Sequence, residues 1–410
     1  MSGTVSPLAP ERISAPCGIP GVRLAAVEAR LRYRDRKDLA LAVFEPHAAA
    51  AGVFTRSATP GHPVCWCRDI LRYGRARALL VNAGNANVFR GAEGDEAVRK
   101  EADAVAAALG CAREEVFVAS TGVIGERLPV ERITAKLPAL VAGLAPHGAL
   151  DFAHAIMTTD TFPKLAGARF EVGGVPASLL GIAKGSGMIA PNMATMLAFL
   201  FTDAALPPAV LQPLLARVVA QSFNAITVDG DTSTSDMVLL FATGRAATPP
   251  IEHPDDARLA PFQRALEEVC RRLAQLIVRD GEGAQRFVEI RIRGALDETS
   301  ARRIGLTVAN SPLVKTAIAG ADANWGRIVA AVGRAGEPIA RERLAIAFGG
   351  HWVARDGCAA PQFDEAAVTA HLRGREILIE IVVGEGPGTA TVWTCDLTHG
   401  YIDINASYRS

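Results

Sequence analysis

Short apolar runs alternate with longer amphipathic stretches along the whole chain, and this alternation restricts it to an α/β architecture. The apolar runs predict strands over 39–44, 78–82, 116–119, 178–182, 237–243, 287–292, 343–348 and 377–383. Apolar residues at helical spacing predict helices over 95–109, 130–142, 208–222, 261–278 and 312–332, the last with Ser311 as its cap. A boundary falls near residue 285, where a long helix ends and a strand-rich tail begins. With 410 residues, half of them hydrophobic, the chain has room for two or three well-buried cores.

Charge and cysteine usage narrow the partners. The formal net charge is zero and no like-charge block occurs, so neither nucleic acid nor an anionic membrane is expected. No apolar run reaches membrane-spanning length and the first residues lack a signal pattern, which predicts a soluble, cytoplasmic protein. Seven cysteines at irregular spacing argue against a disulfide framework. Cys65-Trp66-Cys67 with His62 is half a zinc motif without its other half, so no metal is predicted there. Only six of the 43 basic residues are lysines, and a lysine in a glycine-rich loop therefore stands out.

Chemistry concentrates in connections of small and polar residues. A strand ending near Ile182 enters Lys184-Gly185-Ser186-Gly187, and after Pro191-Asn192 the chain resumes as Met193-Ala194-Thr195 and an apolar strand. A threonine at the head of a strand, after a small residue and a flexible loop, suits backbone self-cleavage through an N-to-O acyl shift and ester hydrolysis. The freed α-amine, with a pKa of about 8, then serves as base for its own hydroxyl. A plain glycine turn with Thr195 as an ordinary strand residue remains the alternative. A second strand runs into Ser120-Thr121-Gly122, where exposed backbone N–H groups and a hydroxyl can stabilise an oxyanion; a turn closing one αβ unit is the bland reading. The acidic string 227–237 suits turn chemistry better than a divalent metal, and VNAGNAN (81–87) reads as a turn supporting the floor of a site.

The run KGSGMIAPNMATML (184–197) resembles the self-processing site of the ornithine acetyltransferase family, also called glutamate N-acetyltransferases. NAGNAN, STGVIG, MTTDT, DGDTSTSD, GEGA, NSPLVKTA, GADANWGRI and the terminal INASYRS follow in that family's order, so the likeness spans about residues 20 to 410. The resemblance implies a self-processing αββα sandwich, also found in related aminopeptidases, with a smaller strand-rich C-terminal lobe. It implies cleavage between Ala194 and Thr195 into an α chain (1–194) and a β chain (195–410) that stay together as an (αβ)2 heterotetramer, the tail docked at the site. Thr195 would take acetyl from N2-acetylornithine and pass it to glutamate in a ping-pong transfer within arginine biosynthesis. Thr121 and Gly122 would form the oxyanion site, and Thr158, Lys184, Thr195, Glu282, Asn405 and Ser410 would bind substrate. No cofactor is implied, although acetyl-CoA is a candidate second donor.

Physical chemistry supports several of these assignments. Lys184 suits an α-carboxylate, and Glu282, between two glycines after a helix, suits the ornithine ammonium. Asn405 and Ser410 can contribute only if the C-terminus is docked. The chain departs from the family with Ala190 in place of histidine, Ser410 in place of threonine, and an atypical segment at 55–62. Three other readings compete: an N-terminal-nucleophile amidase or aminopeptidase, an acyltransferase of a secondary-metabolite pathway, and an uncleaved binding protein for acetylated amino acids.

Overall fold

In the computed structural model, residues 4–13, 18–190 and 196–406 are described. Ala194, Thr195 and Ser410 lie outside them. Eight strands form the first sheet: β1 (Val22–Val27), β2 (Leu39–Phe54), β3 (Arg75–Asn85), β4 (Val116–Val123), β5 (Lys164–Val172), β6 (Val175–Lys184), β7 (Leu197–Thr202) and β8 (Met237–Ala242). Their order is β4-β3-β2-β8-β7-β6-β5, with β1 added to β2.

Strand β2 explains the shape of this sheet. Its first half pairs with β1 and β3, its second half pairs with β8, and the register slips between Val43 and Ala48. A bulge of this kind bends a strand, and here it folds the sheet over on itself. The rings prove the fold-over: in a flat sheet β4 and β8 would lie about 14 Å apart, yet the Phe117 and Phe241 rings meet at 5.5 Å. Between the halves, Ala42, Phe44, Leu79, Phe117, Phe199 and Phe201 share one buried core with Leu239 and Phe241. On one outer face Leu41, Val43 and Val118 pack under the helix Ala92–Leu109. On the other, Leu200 and Leu240 pack under helices Pro208–Gln221 and Ala260–Arg279. The layers therefore run helix, strand, strand, helix: the αββα sandwich.

A second, smaller sheet holds β9 (Phe287–Ala295), β10 (Ala345–Phe348), β11 (His351–Arg355), β12 (Cys358–Ala359), β13 (Glu376–Val382) and β14 (Gly388–Cys395). Its order is β12-β11-β10-β13-β9-β14, and Ile290 and Val392 pack under the helix Glu298–Ala309 in the core that also holds Ile379.

Two expected helices are broken. The stretch 130–142 splits into Val130–Thr134 and Leu137–Ala142, because Pro138 has no N–H to continue the ladder. The stretch 312–332 splits into Pro312–Ala319 and Trp325–Gly333, since Ala321 turns left-handed at φ 53° and closes the first helix. Ser311 caps that first helix through the Val314 amide. Among the described residues, no helix is long and apolar enough to cross a membrane.

Candidate active site

One end of the sandwich is polar between its two layers. On β4, Phe117 and Ala119 face the interlayer core, and Thr121 continues that face. On β6, Leu180 and Ile182 do the same, and Lys184 continues theirs. The two side chains meet: Lys184 Nζ donates to Thr121 Oγ1 at 3.2 Å and to Thr158 Oγ1 at 2.7 Å. These residues line one cleft with Gly122, Thr159, Gly187, Thr234, Glu282 and Asn405. Six sequence-predicted residues, Thr121, Gly122, Thr158, Lys184, Glu282 and Asn405, thus come together from five separate strings.

The backbone around Gly122 differs from the expected turn. Strand β4 runs on through Val123, so Ser120-Thr121-Gly122 lies within it, opposite a register slip at Gly84 and Asn85 of β3. Gly122 has φ 133°, and a Cβ there would sit 2.3 Å from the Gly84 carbonyl carbon. Only glycine fits such a crossing. Asparagines of the 81–87 string secure it. Asn82 Nδ2 donates to the Asn85 carbonyl at 2.9 Å, Asn85 Nδ2 to the Glu126 carbonyl at 3.1 Å, and Asn87 Nδ2 to the Gly94 carbonyl at 3.1 Å.

Lys184 is 2% exposed. Burial pushes its ammonium below the usual lysine range, and Asp160, whose Oδ2 lies 3.8 Å away, opposes that shift. Asp160 also accepts from the amides of Thr158 at 3.0 Å and Gly185 at 2.7 Å, so one carboxylate ties the 157–162 loop to the glycine loop. Behind it lies Lys164, fully buried, donating to Asp160 at 2.7 Å and to Asp280 at 2.6 Å. Burial works against ionisation of Asp160, but Lys164 and Lys184 outweigh it and hold the carboxyl well below its usual range. Sequence reasoning missed Asp160, Lys164 and Asp280. The available signal was that Lys164 and Asp280 border apolar runs with no surface pattern to explain them.

On the opposite wall, Glu282 is 7% exposed and accepts from Asn405 Nδ2 at 2.7 Å. Burial raises its carboxyl, against the hydrogen bonds from Asn405 and Thr159. Asn405 ends the helix His399–Asn405, so the C-terminal segment is docked here, with Thr398 Oγ1 donating to the Gly283 carbonyl at 2.7 Å. A Cβ on Gly283 would sit 2.4 Å from the Tyr401 nitrogen, and that approach requires glycine. Ala190 is buried in the core at 3% exposure. Segment 55–62 braces the third wall: Thr55 Oγ1 donates to the Ser233 carbonyl at 2.7 Å, and the Gly61 amide to the Thr234 carbonyl at 2.8 Å.

The half-motif of cysteines serves packing. Cys67 is buried, donates to the Val118 carbonyl at 3.2 Å, and has its thiol pushed up to about 12 by burial. His62 Nδ1 pairs with Asp95 at 2.7 Å while Nε2 accepts from the Arg90 amide. Among the described residues, no group of three or more His, Cys, Asp or Glu side chains is arranged to hold a metal ion. In the acidic string, Asp229 accepts from the Asp231 amide at 3.2 Å, a local turn bond, and from the amides of Met188 at 2.6 Å and Ile189 at 2.9 Å, which ties the string to the glycine loop.

Comparison with known proteins agrees with the ordered strings. The sequence profile of the ArgJ family matches residues 23–410. The arginine biosynthesis bifunctional protein ArgJ of Gluconobacter oxydans is 59% identical over 392 residues, covering 96% of this chain and 92% of that protein. The protein of the same name from Bradyrhizobium diazoefficiens is 52% identical over 413 residues, covering the whole of both. A crystal structure of arginine biosynthesis bifunctional protein argJ from Bacillus halodurans is 40% identical, covers 50% of this chain and 96% of that one, and superposes with a TM-score of 0.49. With more than half the residues identical to such relatives over nearly its full length, the chain belongs to the ArgJ family of enzymes.

Proposed function

We propose that this chain is a glutamate N-acetyltransferase of arginine biosynthesis, acting by ping-pong transfer on a threonine that it frees by cutting its own backbone between Ala194 and Thr195. The supporting observation is the convergence of Thr121, Gly122, Thr158, Lys184, Glu282 and Asn405 on one cleft at the end of the sandwich from which β7 starts. In β7, Leu197, Phe199 and Phe201 face the interlayer core. The α and β chains remain together, in keeping with one core shared by strands from both sides of the cut, and two such pairs form an (αβ)2 assembly.

In processing, the Thr195 hydroxyl attacks the Ala194 carbonyl, the acyl group passes from nitrogen to oxygen, and water hydrolyses the ester. In turnover, the new α-amine takes the hydroxyl proton as Oγ bonds to the acetyl carbon of N2-acetylornithine. The tetrahedral oxyanion is held by the Gly122 N–H and the Thr121 hydroxyl. Lys184 already donates into Thr121 Oγ1, so Thr121's own proton is free to point at the oxyanion. The ammonium then returns its proton to the departing ornithine; the amine of glutamate attacks the acetyl-enzyme as the α-amine takes its proton, and that proton passes to Thr195 Oγ as the ester bond breaks. Lys184 supplies positive charge for the α-carboxylates, while Glu282 and Asn405 receive the ornithine side chain. Arginine biosynthesis bifunctional relatives extend the proposal to acetyl-CoA as a second donor.

Denaturing mass spectrometry should find two chains breaking at Ala194/Thr195, and Thr195→Ala should leave one intact, inactive chain. An intact wild-type chain would overturn the proposal. Labelled acetylornithine should acetylate glutamate without CoA; label released only as acetate would assign a hydrolase instead.

A further inference from the structure

Donor and acceptor in the proposed transfer carry opposite charges at the same place. N2-acetylornithine ends in an ammonium and glutamate in a γ-carboxylate, each the same number of bonds from its Cα. Both have an α-carboxylate that suits Lys184, and in a ping-pong reaction they occupy one cleft in turn. Their side-chain ends therefore reach the same wall, where Glu282 stands. Among the described residues lining the cleft, Lys184 is the one cation and Glu282 the one acid. Asn405 has no donor free for a carboxylate, since its Nδ2 already donates to Glu282 Oε2 at 2.7 Å and to the Tyr401 carbonyl at 3.0 Å. Glutamate thus brings an anion to a wall that holds a buried carboxyl and no second cation.

Two carboxylates in contact cannot both stay ionised in a largely buried site. We propose that Glu282 serves both side chains by changing its protonation state: ionised against the ornithine ammonium, and protonated against the γ-carboxylate of glutamate. This rests on the acetyl-transfer reading above. The proton comes from solvent as glutamate enters, forms an O–H···O bond between the two carboxyls, and returns to solvent when N-acetylglutamate leaves. The surroundings of Glu282 suit such a change. Burial raises its carboxyl, hydrogen bonds from Asn405 and Thr159 lower it, and of the charged groups facing it Asp229 raises it while Lys184 lowers it. Tyr401, on the docked helix His399–Asn405, is the other titratable group near it, and burial pushes that phenol upward, so it stays neutral.

The reverse reaction supplies the test, because N-acetylglutamate and N2-acetylornithine donate to the same free enzyme and neither has a titrating α-amine. From about pH 6 to about pH 8 the ornithine ammonium stays charged and the γ-carboxylate stays ionised. With both donors in one mixture, the ratio of glutamate to ornithine released in the first turnover reads the ratio of their kcat/KM values. Titration of the nucleophile cancels in that ratio. In the wild type the ratio should fall about tenfold per pH unit, since one donor needs Glu282 protonated and the other needs it ionised. Glu282→Gln should give a flat ratio, because an amide does not titrate. A pH-independent ratio in the wild type would overturn the proposal, and that outcome needs no variant that folds. A slope that survives in Glu282→Gln would also overturn it, by placing the titration on another group. If no ornithine is released from acetylornithine at any pH, the acetyl-transfer reading itself has failed, a result distinct from both.

Discussion

Lys164, Lys184 and Lys315 are all buried, in a chain with only six lysines. Each has oxygen partners: the carboxylates of Asp160 and Asp280 for Lys164, the hydroxyls of Thr121 and Thr158 for Lys184, and Thr394 Oγ1 with the Cys395 carbonyl for Lys315. A compact ammonium fits such pockets where the broad guanidinium fork would not, which explains lysine here against an arginine-rich background. Glu101 is the contrasting case. It lies on the helix Ala92–Leu109, has no exposure, and neither carboxylate oxygen accepts a hydrogen bond from a described residue. Burial pushes its carboxyl up to about 8 from 4.5. Folding therefore keeps a proton that the unfolded chain has lost, so this group's contribution to stability declines as pH rises from about 4.5 to about 8. Glu101→Met should raise the melting temperature, and by more near pH 8.5 than near pH 5. Thermal unfolding at both pH values checks this; an equal gain at both would show that Glu101 does not titrate in that window.

Strands β4 and β6 show how much of an element can be read before its neighbours are known. That both runs are strands was legible, since a short apolar run bounded by glycines depends on the strand alone; which side chains face inward was not, because both faces are buried. The role of Gly122 was not, because its left-handed backbone answers a contact with Gly84 from another string. The two broken helices were missed for a related reason. Apolar periodicity continues across Pro138 and Ala321, and only local backbone chemistry stops it. Gly187 gives the element-scale test. Its φ is not in the left-handed region, and a Cβ there would meet the Glu282 carboxylate at 2.3 Å. The obstruction is a side-chain end and can move, so Gly187→Ala should fold and self-cleave normally. The displaced Glu282 should then raise KM for acetylornithine about tenfold, with the melting temperature within a few degrees of wild type. Steady-state kinetics decide; an unchanged KM would remove Glu282 from the ornithine subsite.

At the scale of the molecule, the six residues that come together in the cleft were legible as ordered strings, while the buried system linking them was not. Asp160 and Lys164 are neighbours in sequence, but Asp280 lies more than a hundred residues further on and meets them only because the helix Ala260–Arg279 packs on β5 and ends beside the glycine loop. The C-terminal segment makes this dependence testable. Its helix His399–Asn405 contributes no buried residue to the core, and it is tied to the cleft by side-chain hydrogen bonds that include Thr398 to Gly283, Tyr401 to Asp229 and Asn405 to Glu282. The cores of both sheets form without it. Glu282, by contrast, lies in the wall of the cleft with Asn405 as its donor, and losing that donor leaves a largely buried carboxylate more solvated and less fixed. Truncation after Thr398 should therefore leave self-cleavage and the melting temperature close to wild type while lowering kcat/KM for acetylornithine about 10²-fold. Mass spectrometry, thermal unfolding and steady-state kinetics on the one truncated protein read all three. Loss of folding would make the segment part of the core, and an undiminished kcat/KM would show that the docked tail closes the cleft without contacting the substrate.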